Sequence, residues 1–130
     1  KKISIITATY NSAKTISDTL NSIINQSYPN IEILIIDGKS NDNTLDVINS
    51  IKHKKKIRIF SEPDKGIYDA LNKGIQLATG DVIGFVHSDD MLASNQIISK
   101  IANQLEKGNI DILYQELVHY RHTNLVIPLS

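Results

Sequence analysis

Short apolar runs rich in β-branched residues alternate with segments of helical spacing along most of this chain. The runs span four to seven residues and occupy positions 3–9, 31–36, 57–60, 82–86 and 110–114. Nearly continuous apolar character over such lengths is typical of strands buried on both faces of a parallel sheet. A chain that alternates strand and helix must cross the sheet after every strand. The pattern therefore predicts an α/β fold with a mostly parallel sheet flanked by helices.

Each segment between the runs carries one apolar stripe, with apolar residues three or four positions apart, which predicts four helices. The stripes are formed by Ile16, Leu20, Ile23 and Ile24, by Leu45, Ile48 and Ile51, by Ile67, Ala70, Leu71, Ile75 and Ala78, and by Ile97, Ile98, Ile101 and Leu105. Residues suited to helix starts and helix ends lie at the boundaries. They are Asn11 or Ser12, Asn41 or Asp42, and Ser94 as N-caps, followed by Gly80 and Gly108 after the third and fourth helices.

Two regions fit the alternation less clearly. The basic run at residues 52–56 is interpreted as the end of the second helix, where cations suit the helix dipole, with a phosphate or lipid contact as the alternative. After Tyr114 the pattern weakens, and the short apolar runs at residues 117–118 and 125–127 favour two further strands arranged as a hairpin.

The charge and cysteine content narrow the partners and the compartment. Fourteen basic and fourteen acidic residues cancel, so no general field attracts nucleic acid or an anionic membrane. Arg58 and Arg121 are the two arginines, so backbone amides or a metal ion would have to hold an anionic ligand. Cysteine is absent, and no apolar run approaches the roughly 20 residues of a membrane span. We expect a soluble, cytoplasmic domain without a nucleic-acid partner.

Polar residues collect after the strands, at positions 7–11, 37–42, 61–66 and 87–90. In open α/β sheets the ligand lies beyond the carboxyl ends of the strands, because loops and helix N-termini converge there. The turn after Thr9 lacks the glycines of a dinucleotide-binding turn and of a P-loop, and the first strand does not end in the acids of a phosphate-accepting receiver domain. These three classes are therefore disfavoured.

Two adjacent acids, Asp89 and Asp90, directly follow the fourth strand. A carboxylate that projects into the cleft there is a hard oxygen ligand suited to Mg²⁺ or Mn²⁺, which could bridge to a diphosphate. The alternative is that one of the acids caps the fourth helix or forms an Asx-turn. The two residues by themselves leave both interpretations open.

Four ordered blocks give the sequence a family resemblance over about residues 3 to 114. They are SIITATYN at 4–11, IDGKSNDNT at 36–44, EPDKGIYDALNKG at 62–74, and ATGD at 78–81 together with SDD at 88–90. In this order and spacing they resemble the N-terminal, nucleotide-sugar-binding half of a family 2 glycosyltransferase. The resemblance implies the GT-A fold, a Rossmann-like, mostly parallel sheet flanked by helices.

The resemblance implies that the nucleotide is held by the end of the first strand and by Asp37. Thr7, Thr9, Tyr10 and Asn11 would line the pocket for the base and ribose. Asp37 would accept a hydrogen bond from an N–H of uracil or guanine, with an Asx-turn as the alternative.

A later loop would complete that pocket. Asp64, Lys65 and Gly66 would lie beside the base and the sugar, with Gly66 allowing close approach of the backbone. Lys65 is equally compatible with a solvated turn residue.

The stretch His87-Ser88-Asp89 stands where such enzymes carry an Asp-x-Asp motif. By the resemblance Asp89 would bind Mn²⁺ or Mg²⁺, and His87 and Ser88 would lie against the nucleotide. His87 departs from the pattern, and a neutral imidazole adds no charge to balance the cation, so we expect weakened metal affinity. Asp90 would support the metal site through hydrogen bonds or cap the next turn.

The resemblance implies metal-assisted transfer, with inversion, from a nucleotide sugar to an acceptor hydroxyl. The expected donor is a UDP-sugar, and the acceptor is a saccharide or a lipid-linked molecule, which allows peripheral contact with the inner face of a membrane. The general base is a carboxylate downstream of Asp89; Glu116 is the candidate, with an ordinary surface glutamate as the alternative. His119 and His122 are interpreted as surface histidines.

We divide the chain into a nucleotide-sugar-binding core, 1–114, and a segment, 115–130, that begins the acceptor side or forms a tail. Family members are considerably longer, so we expect the C-terminal part to be truncated or strongly reduced. Two alternatives remain: a part that binds the donor without turning it over, and an unrelated α/β nucleotide-binding module.

Overall fold

The computed structural model describes residues 2–51, 56–106 and 126–128. The strands are β1 (Ile3–Thr9), β2 (Ile31–Asp37), β3 (Lys56–Ser61), β4 (Val82–Phe85) and β5 (Val126–Pro128), and the helices are α1 (Ile16–Ile24), α2 (Thr44–Ile51), α3 (Ile67–Leu77) and α4 (Ile97–Glu106). The first four strands begin and end within one residue of their predicted bounds. The predicted alternation of strand and helix is confirmed.

The strands form one sheet in the order β3-β2-β1-β4-β5. β1, β2, β3 and β4 run parallel, whereas β5 is antiparallel to β4. Parallel neighbours cannot be joined by a tight turn, and the intervening helices supply the crossovers. The register sets Thr9 beside Asp37 and Asp37 beside Ser61, so the carboxyl ends of three strands meet at one edge. The predicted α/β fold with a mostly parallel sheet is confirmed.

Helices cover both faces of the sheet and bury two apolar clusters. On one face Ile5 of β1 and Ile33 of β2 pack with α1, α2 and α4. On the other face Ile6 and Leu34 pack with α3. Strand positions that alternate in sequence thus face opposite layers, and β2 is buried along its whole length. This burial on both faces explains why the strands read as continuous apolar runs.

A strand from the end of the chain completes the sheet. In β5, Val126 pairs with Gly84 and Pro128 pairs with Val82. β5 overlaps the strand that the sequence predicted at 125–127, and it lies within the segment 115–130. The predicted strands at 110–114 and 117–118, Gly108 and the basic residues 52–55 lie outside the described residues.

The start of the first helix differs from the prediction. Neither Asn11 nor Ser12 is its N-cap, because α1 begins at Ile16 and follows Thr15, whose side chain makes no capping hydrogen bond. The backbone N–H of Ile16 instead donates to the carbonyl of Ser12, at 2.9 Å. Asn11 has a φ of +49°, which turns the chain before the helix can start. The polar side chains of this turn bind neighbouring loops.

Asp42 and Ser94 lie two and three residues before the first residues of α2 and α4, so neither occupies the predicted N-cap position, and their side chains instead bind the backbone that leads into each helix. The Oδ1 of Asp42 accepts a hydrogen bond from the backbone N–H of Thr44 at 2.9 Å, and Ser94 Oγ accepts one from the N–H of Gln96 at 3.3 Å. The described helices are 8 to 11 residues long. None of these helices has the length and apolar character that crossing a membrane requires.

A buried carboxylate that the sequence analysis did not identify lies near the amino ends of the strands. Glu32 of β2 is fully buried, and its Oε1 accepts a hydrogen bond from Arg58 Nη1 at 3.1 Å. Its Oε2 accepts hydrogen bonds from Ser4 Oγ at 2.8 Å and from the backbone N–H of Thr79 at 3.0 Å, and Lys2 Nζ lies 3.9 Å from Oε1. Burial alone would raise the pKa of Glu32, but the hydrogen bonds from Thr79, Ser4 and Arg58 outweigh it and lower the pKa to about 2. Glu32 therefore joins β1, β2, β3 and the loop before β4.

Candidate functional site

A cavity of about 530 Å³ opens at the carboxyl ends of the strands. Its volume is in the range of small-molecule sites. Five of the residues predicted to hold a nucleotide line it: Thr9, Tyr10, Asp64, Gly66 and Ser88. These residues come from three different loops, so the fold brings together side chains that are up to 79 positions apart, as Thr9 and Ser88 show.

Five other predicted nucleotide contacts do not line this cavity: Thr7, Asn11, Asp37, Lys65 and His87. Thr7 lies inside the fold, fully buried, and its hydroxyl has no hydrogen-bond partner within the described residues. Lys65 is exposed, and its backbone N–H donates to Asp69 Oδ2 at 3.0 Å at the start of α3. Their predicted nucleotide contacts stay predictions.

Asp37 connects the carboxyl ends of β1 and β3 to the loop after β2. Its carboxylate is fully buried, and Oδ1 accepts hydrogen bonds from Thr9 Oγ1 at 2.7 Å and from Ser40 Oγ at 2.6 Å. Oδ2 accepts from the backbone N–H of Ser40 at 2.8 Å and from Ser61 Oγ at 2.9 Å. Burial alone would raise the pKa of Asp37, but these hydrogen bonds lower it below its usual value. A direct bond to a base would require Asp37 to exchange one of these partners.

Asn11 clamps the loop that follows β2. Its Oδ1 accepts hydrogen bonds from the backbone N–H groups of Asn41 at 2.9 Å and Asp42 at 3.3 Å, while its own N–H donates to Ser40 Oγ at 2.8 Å. Asn tolerates the positive φ that this position requires. Asn11 thus fixes the loop after β2 beside Tyr10, which lines the cavity.

Ser12 lines the cavity, although sequence reasoning considered it as a helix cap alone. Its backbone N–H donates to Thr44 Oγ1 at 2.8 Å, and its Oγ lies 3.0 Å from Ser88 Oγ. The N–H of Tyr10 donates to Ser12 Oγ at 3.3 Å. Ser12 therefore joins the loop after β1 to the start of α2 and to the loop after β4. No local pattern signals these contacts, because Ser12 and Ser88 are 76 residues apart.

Asp64 supplies a carboxylate to the cavity wall. Its Oδ1 accepts a hydrogen bond from the N–H of Gly66 at 3.0 Å. Its Oδ2 lies against Gly38, where a Cβ would come within 2.8 Å of it. Gly66 has a φ of +119°, a conformation that favours glycine, and it directly precedes α3. Two glycines thus allow the chain to bring this carboxylate to the edge of the sheet.

The acidic turn after β4 contains one exposed and one buried carboxylate. Asp89 is exposed, whereas Asp90 is 5% exposed and its backbone N–H donates to the carbonyl of His87 at 3.0 Å. His87 is half-buried. Neither acid lines the cavity, so their predicted metal-binding roles stay predictions.

The donor set fits a metal ion that a ligand helps to hold. Within the ranges the structure describes, no group of three or more His, Asp or Glu side chains is placed to hold an ion. Mg²⁺ at nucleotide sites commonly uses one or two carboxylates, water and the phosphates of the substrate. Asp89 is exposed and directly follows Ser88, which lines the cavity. This arrangement fits an ion completed by a diphosphate.

The candidate general base cannot be placed. Glu116 lies outside the described residues, as do His119 and His122. Their predicted roles therefore stay predictions.

Comparison with known proteins identifies the family. The sequence matches the model of glycosyl transferase family 2 over residues 4–130. It is 38% identical to the Escherichia coli UDP-Glc:alpha-D-GlcNAc-diphosphoundecaprenol beta-1,3-glucosyltransferase WfaP over 125 residues, which cover 96% of this chain and 46% of that protein. The chain belongs to glycosyl transferase family 2, as the sequence blocks predicted.

Solved structures confirm the GT-A fold. The structure of S. aureus TarS 1-349 in complex with UDP-GlcNAc matches with a TM-score of 0.78 and 28% identity, over 82% of this chain and 32% of that one. The mannosyltransferase PcManGT from Pyrobaculum calidifontis, in complex with GDP-Man and Mn²⁺, matches in fold with a TM-score of 0.75 and 24% identity, over 80% of this chain and 32% of that one. The chain spans about half the length of the curated relatives it matches.

Proposed function

We propose that this chain is the donor-binding part of an enzyme that transfers a sugar from a nucleoside diphosphate sugar to an acceptor hydroxyl, with inversion. The observation that carries the proposal is the cavity at the carboxyl ends of the strands, with the exposed carboxylate of Asp89 beside its lining residue Ser88. The UDP-sugars named for WfaP and TarS favour a UDP-sugar as the donor.

The walls of the cavity suit a nucleoside. Tyr10 is 60% exposed and lines the cavity, so its ring offers an apolar face to a base. Asp64 lines the same cavity, and its carboxylate can accept from an N–H of uracil or guanine. Asp37, with both oxygens bonded to protein donors, would hold Thr9 in position for the ribose. Gly66 leaves room for the ligand where a side chain would stand.

Asp89 is the proposed metal ligand, and Asp90 would orient the turn that carries it. A divalent ion bound there would act as a Lewis acid and stabilise the negative charge on the departing diphosphate. The imidazole of His87 would donate a hydrogen bond to a ribose hydroxyl. The Mn²⁺ in the PcManGT complex belongs to a protein that is similar in fold, so the support for a metal in this chain is the donor set itself.

Inversion requires the acceptor hydroxyl to attack the anomeric carbon while the bond to the diphosphate breaks on the opposite face. A general base must take the proton of that hydroxyl, and Glu116 is the proposed base. The acceptor would be a saccharide, free or lipid-linked, as the name of WfaP suggests. Such an acceptor would place the enzyme in the cytoplasm, in peripheral contact with the inner face of the membrane, with no nucleic-acid partner.

Calorimetric titration of the 130-residue chain with UDP and GDP, with and without Mn²⁺, tests the proposal. We expect saturable binding of UDP that strengthens with Mn²⁺. Asp89→Asn should weaken UDP binding in Mn²⁺ at least about tenfold, because a metal ligand loses its charge. The matched control is Asp46→Asn, which changes an exposed acid on α2 and should leave affinity unchanged.

Two results would count against the proposal. If neither nucleotide bound, the proposed donor site would be contradicted. If UDP bound equally well with and without Mn²⁺, the proposed metal site would be contradicted. We expect the 130-residue chain alone to bind the donor without transferring its sugar, because it spans about half the length of the curated relatives it matches. If this chain does turn over, loss of turnover in Glu116→Gln would support Glu116 as the base.

A further inference from the structure

The hydroxyl of Ser12 has two acceptors within reach but one proton. Its Oγ lies 3.0 Å from Ser88 Oγ and 3.3 Å from the carbonyl oxygen of Tyr10. A serine hydroxyl donates one hydrogen bond and accepts up to two. The N–H of Tyr10 already donates to Ser12 Oγ. The shorter distance favours donation from Ser12 to Ser88.

This assignment leaves the proton of Ser88 available to a ligand. Ser88 lines the cavity, and Ser12 is the one hydrogen-bond partner of its Oγ within residues 2–51, 56–106 and 126–128. A hydroxyl that accepts from one neighbour directs its own proton elsewhere, and successive hydrogen bonds polarise one another. The chain of donors would run from the N–H of Tyr10 through Ser12 to Ser88 and then to an oxygen in the cavity.

The fold holds both serines in place. Ser12 is 9% exposed, and its N–H is bound to Thr44 Oγ1. The carbonyl of Ser88 accepts a hydrogen bond from Thr19 Oγ1 at 2.9 Å. Because the backbone of each serine is fixed by a separate loop or helix, the contact between the two hydroxyls is set before a ligand arrives.

We propose that Ser12 is a positioning residue that orients the hydroxyl of Ser88 to donate to an oxygen of the bound nucleoside diphosphate. The proposal rests on the proposed function, since it assigns a role within the same donor site. It adds to the site a residue that acts on the ligand through Ser88.

A double-mutant cycle on UDP binding in Mn²⁺, measured by calorimetry, tests the coupling. Ser88→Ala removes a hydrogen bond to a charged diphosphate, so we expect it to weaken UDP binding about tenfold. Ser12→Ala removes a hydrogen bond between two neutral hydroxyls, so we expect it to weaken UDP binding about fivefold. If Ser12 acts through Ser88, the double variant should lose about tenfold, not the roughly fiftyfold product of independent effects. A loss near fiftyfold, or an unchanged affinity in Ser12→Ala, would overturn the proposal.

Two further variants separate positioning from folding. Ser12→Cys keeps the size of the side chain but has a weak donor, and it should lose affinity like Ser12→Ala while its urea midpoint stays near that of the unaltered chain. Ser22→Ala is the matched control, because Ser22 Oγ also connects α1 to the loop after β4, through the N–H of Leu92 at 3.1 Å, away from the cavity. It should leave UDP affinity unchanged.

The outcomes also separate this proposal from the function on which it rests. If the unaltered chain binds UDP with Mn²⁺ but the serine effects multiply independently, the positioning role alone fails. If the unaltered chain binds no nucleoside diphosphate, both fail together.

Discussion

β2 carries a fully buried carboxylate near each of its ends, and the two are satisfied in different ways. Glu32, near the amino end, is bound by the cationic Arg58 at 3.1 Å, with Lys2 at 3.9 Å. Asp37, at the carboxyl end, is bound by hydroxyl and amide donors from Thr9, Ser40 and Ser61. Both carboxylates keep a pKa below the usual value, so both are ionised in the folded protein at neutral pH.

The difference indicates that Glu32 stabilises the fold, whereas Asp37 supports the candidate donor site. A buried charge needs either a counter-ion or several hydrogen bonds. Glu32 has both, and it joins three strands to the loop before β4 near the amino ends of the strands, away from the candidate donor site. Asp37 has hydrogen bonds and no ion pair within the described residues, so its negative charge stays uncompensated beside the candidate donor site. Such a charge favours the approach of a cation to this edge of the sheet.

The largest expected effect on stability is the loss of the counter-ion of Glu32. Arg58→Leu would leave a buried carboxylate without its main cation and would remove the guanidinium stacked 5.2 Å from the centre of the Phe60 ring. We expect a loss of about 3 kcal/mol in the free energy of unfolding, measured by urea denaturation.

The control is Lys73→Leu, which removes ion pairs with the partly exposed side chains of Glu62 and Asp69. Its urea midpoint should barely move, because exposed ion pairs contribute little. If the two variants lost stability equally, the ion pair of Glu32 with Arg58 would contribute no more to stability than an exposed ion pair.

Acid should reduce the stabilisation by the Glu32 carboxylate over a defined pH range. The folded-state pKa of Glu32, about 2, is lower than its ordinary 4.5, so the folded state favours the ionised form. The stabilisation is therefore complete above about pH 4.5 and is lost as pH falls towards 2. The expected loss is roughly 2 kcal/mol, and Asp37, with a lowered pKa, adds to it in the same direction.

Urea denaturation at a series of pH values checks this window. Glu32→Gln should make stability less dependent on pH between 4.5 and 2, because the titrating group is gone. An acid dependence that is unchanged in Glu32→Gln would show that other carboxyl groups cause it.

The smallest effect is expected at the carboxyl end of β2. Ser61→Ala removes one of the neutral donors to Asp37 and leaves those of Thr9 and Ser40, so we expect a loss of about 1 kcal/mol in unfolding free energy. Ser50→Ala, which removes an exposed hydroxyl bonded to the carbonyl of Val47, should cost less than about 0.5 kcal/mol. A loss in Ser61→Ala as large as in Arg58→Leu would erase the contrast between the two ends.

The sequence predicted the sheet well because burial on both faces imposes a simple pattern. β1 is predicted with its exact bounds, and the edge that holds the cavity follows from the parallel order of the strands. The sequence also predicts Tyr10, Asp64 and Ser88 at that edge, and all three line the cavity.

The remaining features depend on pairs distant in the sequence. Ser4 and Glu32 are 28 residues apart, and Ser12 and Ser88 are 76 apart. Neither periodicity nor a motif encodes such pairs. The prediction of Asn11 as a helix cap is wrong because asparagine suits both helix caps and turns. In the folded chain Asn11 has a positive φ, which is a turn conformation.

The pairing of β5 with β4 affects how this protein can be shortened. Residues 126–128 occupy the outer edge of the strand that leads into the acidic turn. Deleting them would expose the backbone N–H and carbonyl groups of β4, which are a template for pairing with another chain. A version trimmed before residue 126 would therefore be prone to self-association through β4.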